Sequence, residues 1–222
     1  MSRESRSFAA AIKICGVTNV EDAKMCVQEG AHAIGVNFVD ASPRRISTAE
    51  ARAISDALRG RTVVVGVVAN MSLEAMKKLM GDARLDQLQL HGDEMPDVVA
   101  ALSPFAYKAA RIANSDDVRM ADSFPGDDLL LDAKSPKGLG GTGATFDWSL
   151  ATDIAKKRRI TLAGGLTPEN VADAIRVVSP YRVDVASGVE VAGNPRKKDV
   201  SRVRAFLAAV RHALEGAHSP KQ

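Results

Sequence analysis

The chain has 222 residues, 45% of them hydrophobic and 26% charged, with a formal net charge of +3. This is the mix of a globular protein large enough to bury its own core, and so small a charge, with no basic stripe interleaved with aromatics, argues against a nucleic-acid surface. The two cysteines, Cys15 and Cys26, form no CxxC pair and no apolar run reaches the roughly 20 residues of a membrane span, so a zinc site, a disulfide framework and a membrane protein are disfavoured and a reducing, cytoplasmic setting is expected.

Short apolar runs alternate with amphipathic helical stretches. Residues 1–10, polar and without the apolar stretch of a secretory signal, read as a disordered tail. AIKIC (11–15) follows as a first strand, and Asn19 can cap the next helix, with Asp22 three residues on. AIGVNF (33–38) is the second strand, and Ser47 with Glu50 spells a capping box before ARAISDAL. TVVVGVV (62–68) is apolar on consecutive positions, as in a strand covered on both faces. Ser72 opens the helical LEAMKKLM. LDQLQL (85–90) is a weaker strand, polar at Asp86 and Gln87, and FAYKAAR (105–111) is the fifth. The following helix falls somewhere in NSDDVRMADSF. LLLDA (129–133), ITLAG (160–164) and VDVAS (183–187) complete the set, with Thr167-Pro168-Glu169 placing a proline in a first helical turn. Arg196-Lys197-Lys198 and Arg202 read as the solvated start of a C-terminal helical stretch, and 215–222 as a second tail.

Eight alternating β and α units predict a single-domain α/β fold over 11–214, a (β/α)8 TIM barrel of eight parallel strands. The alternative, an open doubly wound sheet, would normally carry GxGxxG after the first strand, where this chain has Cys15-Gly16-Val17-Thr18-Asn19.

In such a barrel chemistry sits at the C-terminal strand ends. There the chain places Cys15, the loop residues Arg44 and Arg45, His91 after the fourth strand, Asp132 on the sixth and Asp184 on the eighth. Each has a structural reading as well. Cysteine is often a small buried hydrophobe, a histidine often a structural hydrogen-bonding group, one arginine of a pair often solvated, and Asp184 a structural acid between two valines. Asp132 is harder to assign to structure alone, because a carboxylate directly after Leu129-Leu130-Leu131 requires a partner or a function for its desolvation. Glycine turns suit a phosphate through backbone N–H groups and helix N-termini. Gly164 and Gly165 after the seventh strand, and Ser187 and Gly188 after the eighth, stand at the usual phosphate cradle of this fold. The loop after the sixth strand adds Gly140 and Gly141. All could equally be plain tight turns.

Taken in order, "KICGVT", "SPR", "QLHG", "LLLD", "GGTGATFDW", "LAGGLTPENV" and "DVASGVE" resemble the phosphoribosylanthranilate isomerases of tryptophan biosynthesis. The resemblance implies an Amadori rearrangement of a phosphorylated aminoaldose to a 1-deoxyribulose ketose, without metal or cofactor. It implies a general base at Cys15 and a general acid at Asp132, with Arg44, His91 and Asp184 around the substrate. The acid would open the furanose to a Schiff base and the base would take the proton from C2. An apolar setting would raise Asp132 toward protonation. The departures, Val17 and Ala186 where the family often has leucine and serine, touch none of these residues. A sugar isomerase of histidine biosynthesis is a rival, disfavoured because two-substrate enzymes of that kind pair aspartates and strand one offers Cys15. A barrel that only binds a phosphorylated ligand is a second. A free-standing monomer acting on a small phosphorylated molecule, with no nucleic-acid or membrane partner, is expected.

Overall fold

The structure, a computed structural model, describes residues 10–133 and 145–216. The tails and the loop holding Gly140 and Gly141 lie outside the described residues, save that Ala10 is buried against the barrel and Glu215 and Gly216 continue the last helix.

The chain forms β1 (Ala11–Ile14), α1 (Val20–Glu29), β2 (Ala33–Asn37), α2 (Thr48–Leu58), β3 (Val63–Val68), α3 (Leu73–Ala83), β4 (Gln87–Leu90) and α4 (Pro96–Ala101). It continues through β5 (Ala106–Ile112), α5 (Ser115–Asp122), β6 (Asp128–Ala133), α6 (Thr152–Lys157), β7 (Arg159–Leu162), α7 (Val171–Val178) and β8 (Arg182–Val185). A hairpin, β9 (Glu190–Val191) and β10 (Asn194–Lys198), precedes α8 (Val200–Gly216). Strands β1 to β8 pair in sequence order, all parallel, and β8 pairs with β1 to close the barrel.

The helix starts follow from local chemistry. Asn19 accepts from the Asp22 N–H at 2.8 Å. Ser47 and Glu50 complete a reciprocal capping box, the Ser47 N–H donating to Glu50 at 2.7 Å and the Glu50 N–H to Ser47 at 3.2 Å. Asn114 caps α5 through the Asp116 and Asp117 N–H groups, which locates the helix expected in NSDDVRMADSF. The main core lies between strands and helices, where the outward residues of each strand, such as Ile12, Ile14, Leu129 and Leu131, meet the apolar faces of the helices.

Two expectations are corrected. Helix α7 starts at Val171, not at Pro168, because the Asn170 side chain first closes a turn, accepting from the Thr167 N–H at 2.8 Å and donating to the Gly165 carbonyl at 2.9 Å. The basic run at 196–198 is not the start of a helix but strand β10, and Lys198 within it is 3% exposed.

Candidate active site

Strand parity decides which side chains enter the barrel, since successive residues point to opposite faces. In β1, Ile12 and Ile14 pack outward, so Lys13 and then Cys15 point in. The same alternation turns Gln89 and His91, Leu130 and Asp132, and Asp184 inward. The apolar part of the interior is small, made of Ala33, Val65, Tyr107, Ala109, Leu130 and Ala163. Over it lies a polar floor.

Lys13 is fully buried and donates from Nζ to Asp184 Oδ2 at 2.8 Å and to Gln89 Oε1 at 2.9 Å. Gln89 Nε2 lies 3.0 Å from His91 Nδ1. His91 Nε2 in turn stands 3.2 Å from Asp132 Oδ2, off the line of a hydrogen bond, and has no hydrogen-bond partner among the described residues. Asp184 Oδ1 is also buried without one among the described residues. Burial acts to lower the Lys13 ammonium, but the Asp184 carboxylate, helped by Cys15 and Tyr107, outweighs it and holds the ammonium above its ordinary value. Burial pushes the Tyr107 hydroxyl up to about 12.

Above the floor opens a cavity of about 320 Å³. Of the sequence-predicted residues, Arg44, His91, Asp132, Gly164, Gly165, Asp184 and Ser187 line it. Gly188 lies on an adjoining cavity with Gly165, Thr167 and Ser187. Ser187 to Val189 form a single 3₁₀ turn leading to the hairpin. Cys15 is not on the cavity wall. Its thiol is buried against Gly35, where an added Cβ would stand 2.7 Å from the sulfur. Burial first, and then the Asp184 carboxylate, push the thiol up, against the opposing pull of Lys13 and Lys198. Positive φ values at Gly16 (69°) and Gly164 (84°) bend the chain at both catalytic candidates. A Cβ at Gly16 would collide with the Arg44 side chain, and one at Gly164 would stand 2.9 Å from Asp132 Oδ1.

The rim holds a second charged cluster. Arg44 Nε and Nη2 donate to the two Glu190 oxygens at 2.6 and 2.9 Å, so one edge of the guanidinium is already occupied. Lys198 Nζ donates to Glu190 Oε1 at 3.0 Å and to the Ala186 carbonyl at 3.1 Å. Burial acts to raise the Glu190 carboxyl, but Arg44 and Lys198 outweigh it and hold it below its ordinary value. Arg45 faces away, pairing with exposed Asp40 at 3.0 Å. Among the described residues, no group of three or more His, Cys, Asp or Glu side chains could hold a metal ion.

A sequence model of the N-(5'-phosphoribosyl)anthranilate isomerases matches residues 12–209. This chain belongs to that family. An N-(5'-phosphoribosyl)anthranilate isomerase of Geotalea daltonii is 45% identical over 91% of this chain and 97% of its own length. The phosphoribosyl anthranilate isomerase of Thermotoga maritima superposes with a TM-score of 0.83 at 39% identity, covering 91% of this chain and 99% of its own. A phosphoribosyl anthranilate isomerase in complex with reduced 1-(o-carboxyphenylamino)-1-deoxyribulose 5-phosphate gives 0.80 at 35% identity, covering 91% and 99%. As a member of the family the chain is an isomerase of tryptophan biosynthesis, and the barrel is the one its strand pattern predicts.

Lys13, Gln89, Glu190 and Lys198 escaped the reading of the sequence as site residues. A signal for the first two was present. Lys13 stands two residues before Cys15, and Gln89 two before His91, so each shares a strand face with a residue already singled out. Glu190 and Lys198 had none, because their burial depends on the hairpin folding over the rim.

Proposed function

We propose that, in the isomerisation of N-(5'-phosphoribosyl)anthranilate, Asp132 is the general acid and Cys15 the general base. Asp132 gives its proton to the furanose ring oxygen as the C1–O bond breaks, and the nitrogen lone pair forms the C1=N iminium. Cys15 takes the proton from C2, and the electron pair flows to the iminium nitrogen. The resulting enol collapses to the C2 ketone as C1 gains a proton. The observation that carries this reading is the placement of Asp132 and Asp184 around one cavity with Cys15 buried close to Asp184, on β6, β8 and the end of β1, which with β7 stand consecutively round the closed ring.

A thiol with a raised pKa stays protonated in the free protein, and the iminium cation, formed only after ring opening, supplies the charge that favours loss of the thiol proton to solvent and leaves the thiolate to act as the base. The order of events is thereby built in: acid first, base second. Arg44 receives the anthranilate carboxylate on its Nη1–Nη2 edge, since its Nε–Nη2 edge already holds Glu190. Asp184 Oδ1, buried and unpartnered among the described residues, accepts from a sugar hydroxyl, and His91 Nε2 offers a second polar contact. Gly164, Gly165, Ser187 and Gly188 hold the phosphate through backbone N–H groups.

The protein acts in the cytoplasm as a monomer. In support, both cysteines are free, among the described residues no helix is long and apolar enough to cross a membrane, and the exposed apolar side chains Met120, Val177 and Val200 stand on three different helices. Light scattering on the purified chain tests the monomer. The activity is tested by mixing purified protein and EDTA with freshly made phosphoribosylanthranilate and separating the product by chromatography. Rapid conversion is expected, and an intact substrate in the presence of folded protein would refute the reading.

A further inference from the structure

A lysine without solvent contact inside a barrel is an unfavourable filler, and the reaction described above gives Lys13 no part. Its neighbours define one. An ammonium can only donate, so the Gln89 atom 2.9 Å from Lys13 Nζ is the amide oxygen. The Tyr107 hydroxyl, 3.3 Å away, donates to the same atom. The Gln89 NH₂ is then the group 3.0 Å from His91 Nδ1, and it too can only donate. His91 Nδ1 must therefore accept, which places the ring proton on Nε2, 3.2 Å from Asp132 Oδ2. Exchanging the two Gln89 atoms would set the ammonium against an amide N–H and leave Lys13 with Asp184 alone.

We propose that Lys13 and Gln89 are positioning residues that set the His91 tautomer, so that an N–H rather than a lone pair faces Asp132. The functional part of this rests on Asp132 being the acid. With Oδ2 facing the His91 N–H, Oδ1 is the oxygen that carries the proton to be delivered. That oxygen is the one beside Gly164, and both residues line the cavity. Hydrogen bonds fix the direction from a cation that cannot accept as far as His91 Nδ1, and the last step, from His91 Nε2 to Asp132 Oδ2, is an approach of 3.2 Å without hydrogen-bond alignment.

The test is side-chain ¹⁵N NMR of His91 in the substrate-free protein, wild type and Gln89→Glu, together with steady-state kinetics. Gln89→Glu keeps the shape of the side chain but puts an acceptor opposite Nδ1. The wild type is expected to show the Nε2–H tautomer and Gln89→Glu a proton on Nδ1. The variant's kcat should fall by about 10- to 100-fold with KM changed less than about threefold. A wild-type Nδ1–H tautomer, identical spectra in the two proteins, or a shifted tautomer with unchanged kcat would each overturn the proposal. Lys13→Arg, still a donor-only cation, should keep the wild-type tautomer and more of kcat than Lys13→Met, and equal behaviour of the two removes Lys13 from the relay. Full turnover by Asp132→Asn would instead remove the acid assignment, a failure separate from that of the tautomer, which the spectra read directly.

Discussion

Two clusters of buried charge meet at the mouth of this barrel, and they are built on different principles. At the rim, Arg44, Glu190 and Lys198 close on one another, with both Glu190 oxygens taken by cations. On the floor, hydrogen bonds join Lys13, Gln89, His91 and Asp184, Asp132 stands 3.2 Å from His91, and His91 Nε2 and Asp184 Oδ1 are buried without hydrogen-bond partners among the described residues. Buried polar groups are normally satisfied, and leaving one unpaired costs free energy. A closed cluster spends its interactions on holding shape. One with open valences beside a cavity is completed by what enters, so in the proposed mechanism the floor serves the chemistry and the rim serves as the scaffold beside it.

The largest expected effects separate the two. Cys15→Ala and Asp132→Asn should each lower kcat by about 10² to 10⁴ while the urea midpoint stays near that of the wild type. Turnover and equilibrium unfolding on the same preparations check this, and near-normal kcat in either variant removes that residue from catalysis. Glu190→Ala should do the reverse. It leaves Arg44 and Lys198 as buried cations without their carboxylate and should cost about 3–5 kcal/mol of stability, read from denaturant unfolding. A stability loss no larger than that of an exposed pair would break the distinction between the clusters.

Smaller effects sharpen it. Because the Cys15 thiol is pushed up by burial and Asp184, kcat/KM, which reports the free enzyme, should climb with pH by up to about tenfold per unit through neutrality. The corresponding rise in kcat should lie at lower pH, since the iminium favours the thiolate in the complex, and a kcat/KM plateau already reached at pH 6 would contradict the assignment. Glu190, held below its ordinary value, contributes stability that is whole above the unfolded carboxyl's value of about 4.3. That part is lost as pH falls through the lower folded value. Stability measured against pH should therefore show an acid limb that is shallower in Glu190→Ala than in the wild type.

Much of the architecture is decided by short stretches of chain. The consecutive apolar run in β3, the cap at Asn19 and the box at Ser47 and Glu50 act within a few residues, and they form where the sequence puts them. Asp132 stood out for the same reason: three leucines precede it, and a carboxylate there demands an explanation, which His91 at 3.2 Å supplies in part. The alternation of such strands with helices then admits few arrangements, and a closed parallel barrel is the one that buries them all.

Tertiary structure alone decided which charges became interior. Lys13 meets Gln89 across 76 positions of sequence and Asp184 across 171, and Arg44 meets Glu190 across 146. Lys198 looked solvated because its neighbours in sequence are basic, yet β10 lays its N–H on Asp22, 176 positions away, and its ammonium on Glu190. A side chain's polarity is written in the sequence. Whether it can keep its charge without water depends on partners that only ring closure and the hairpin bring within hydrogen-bonding distance.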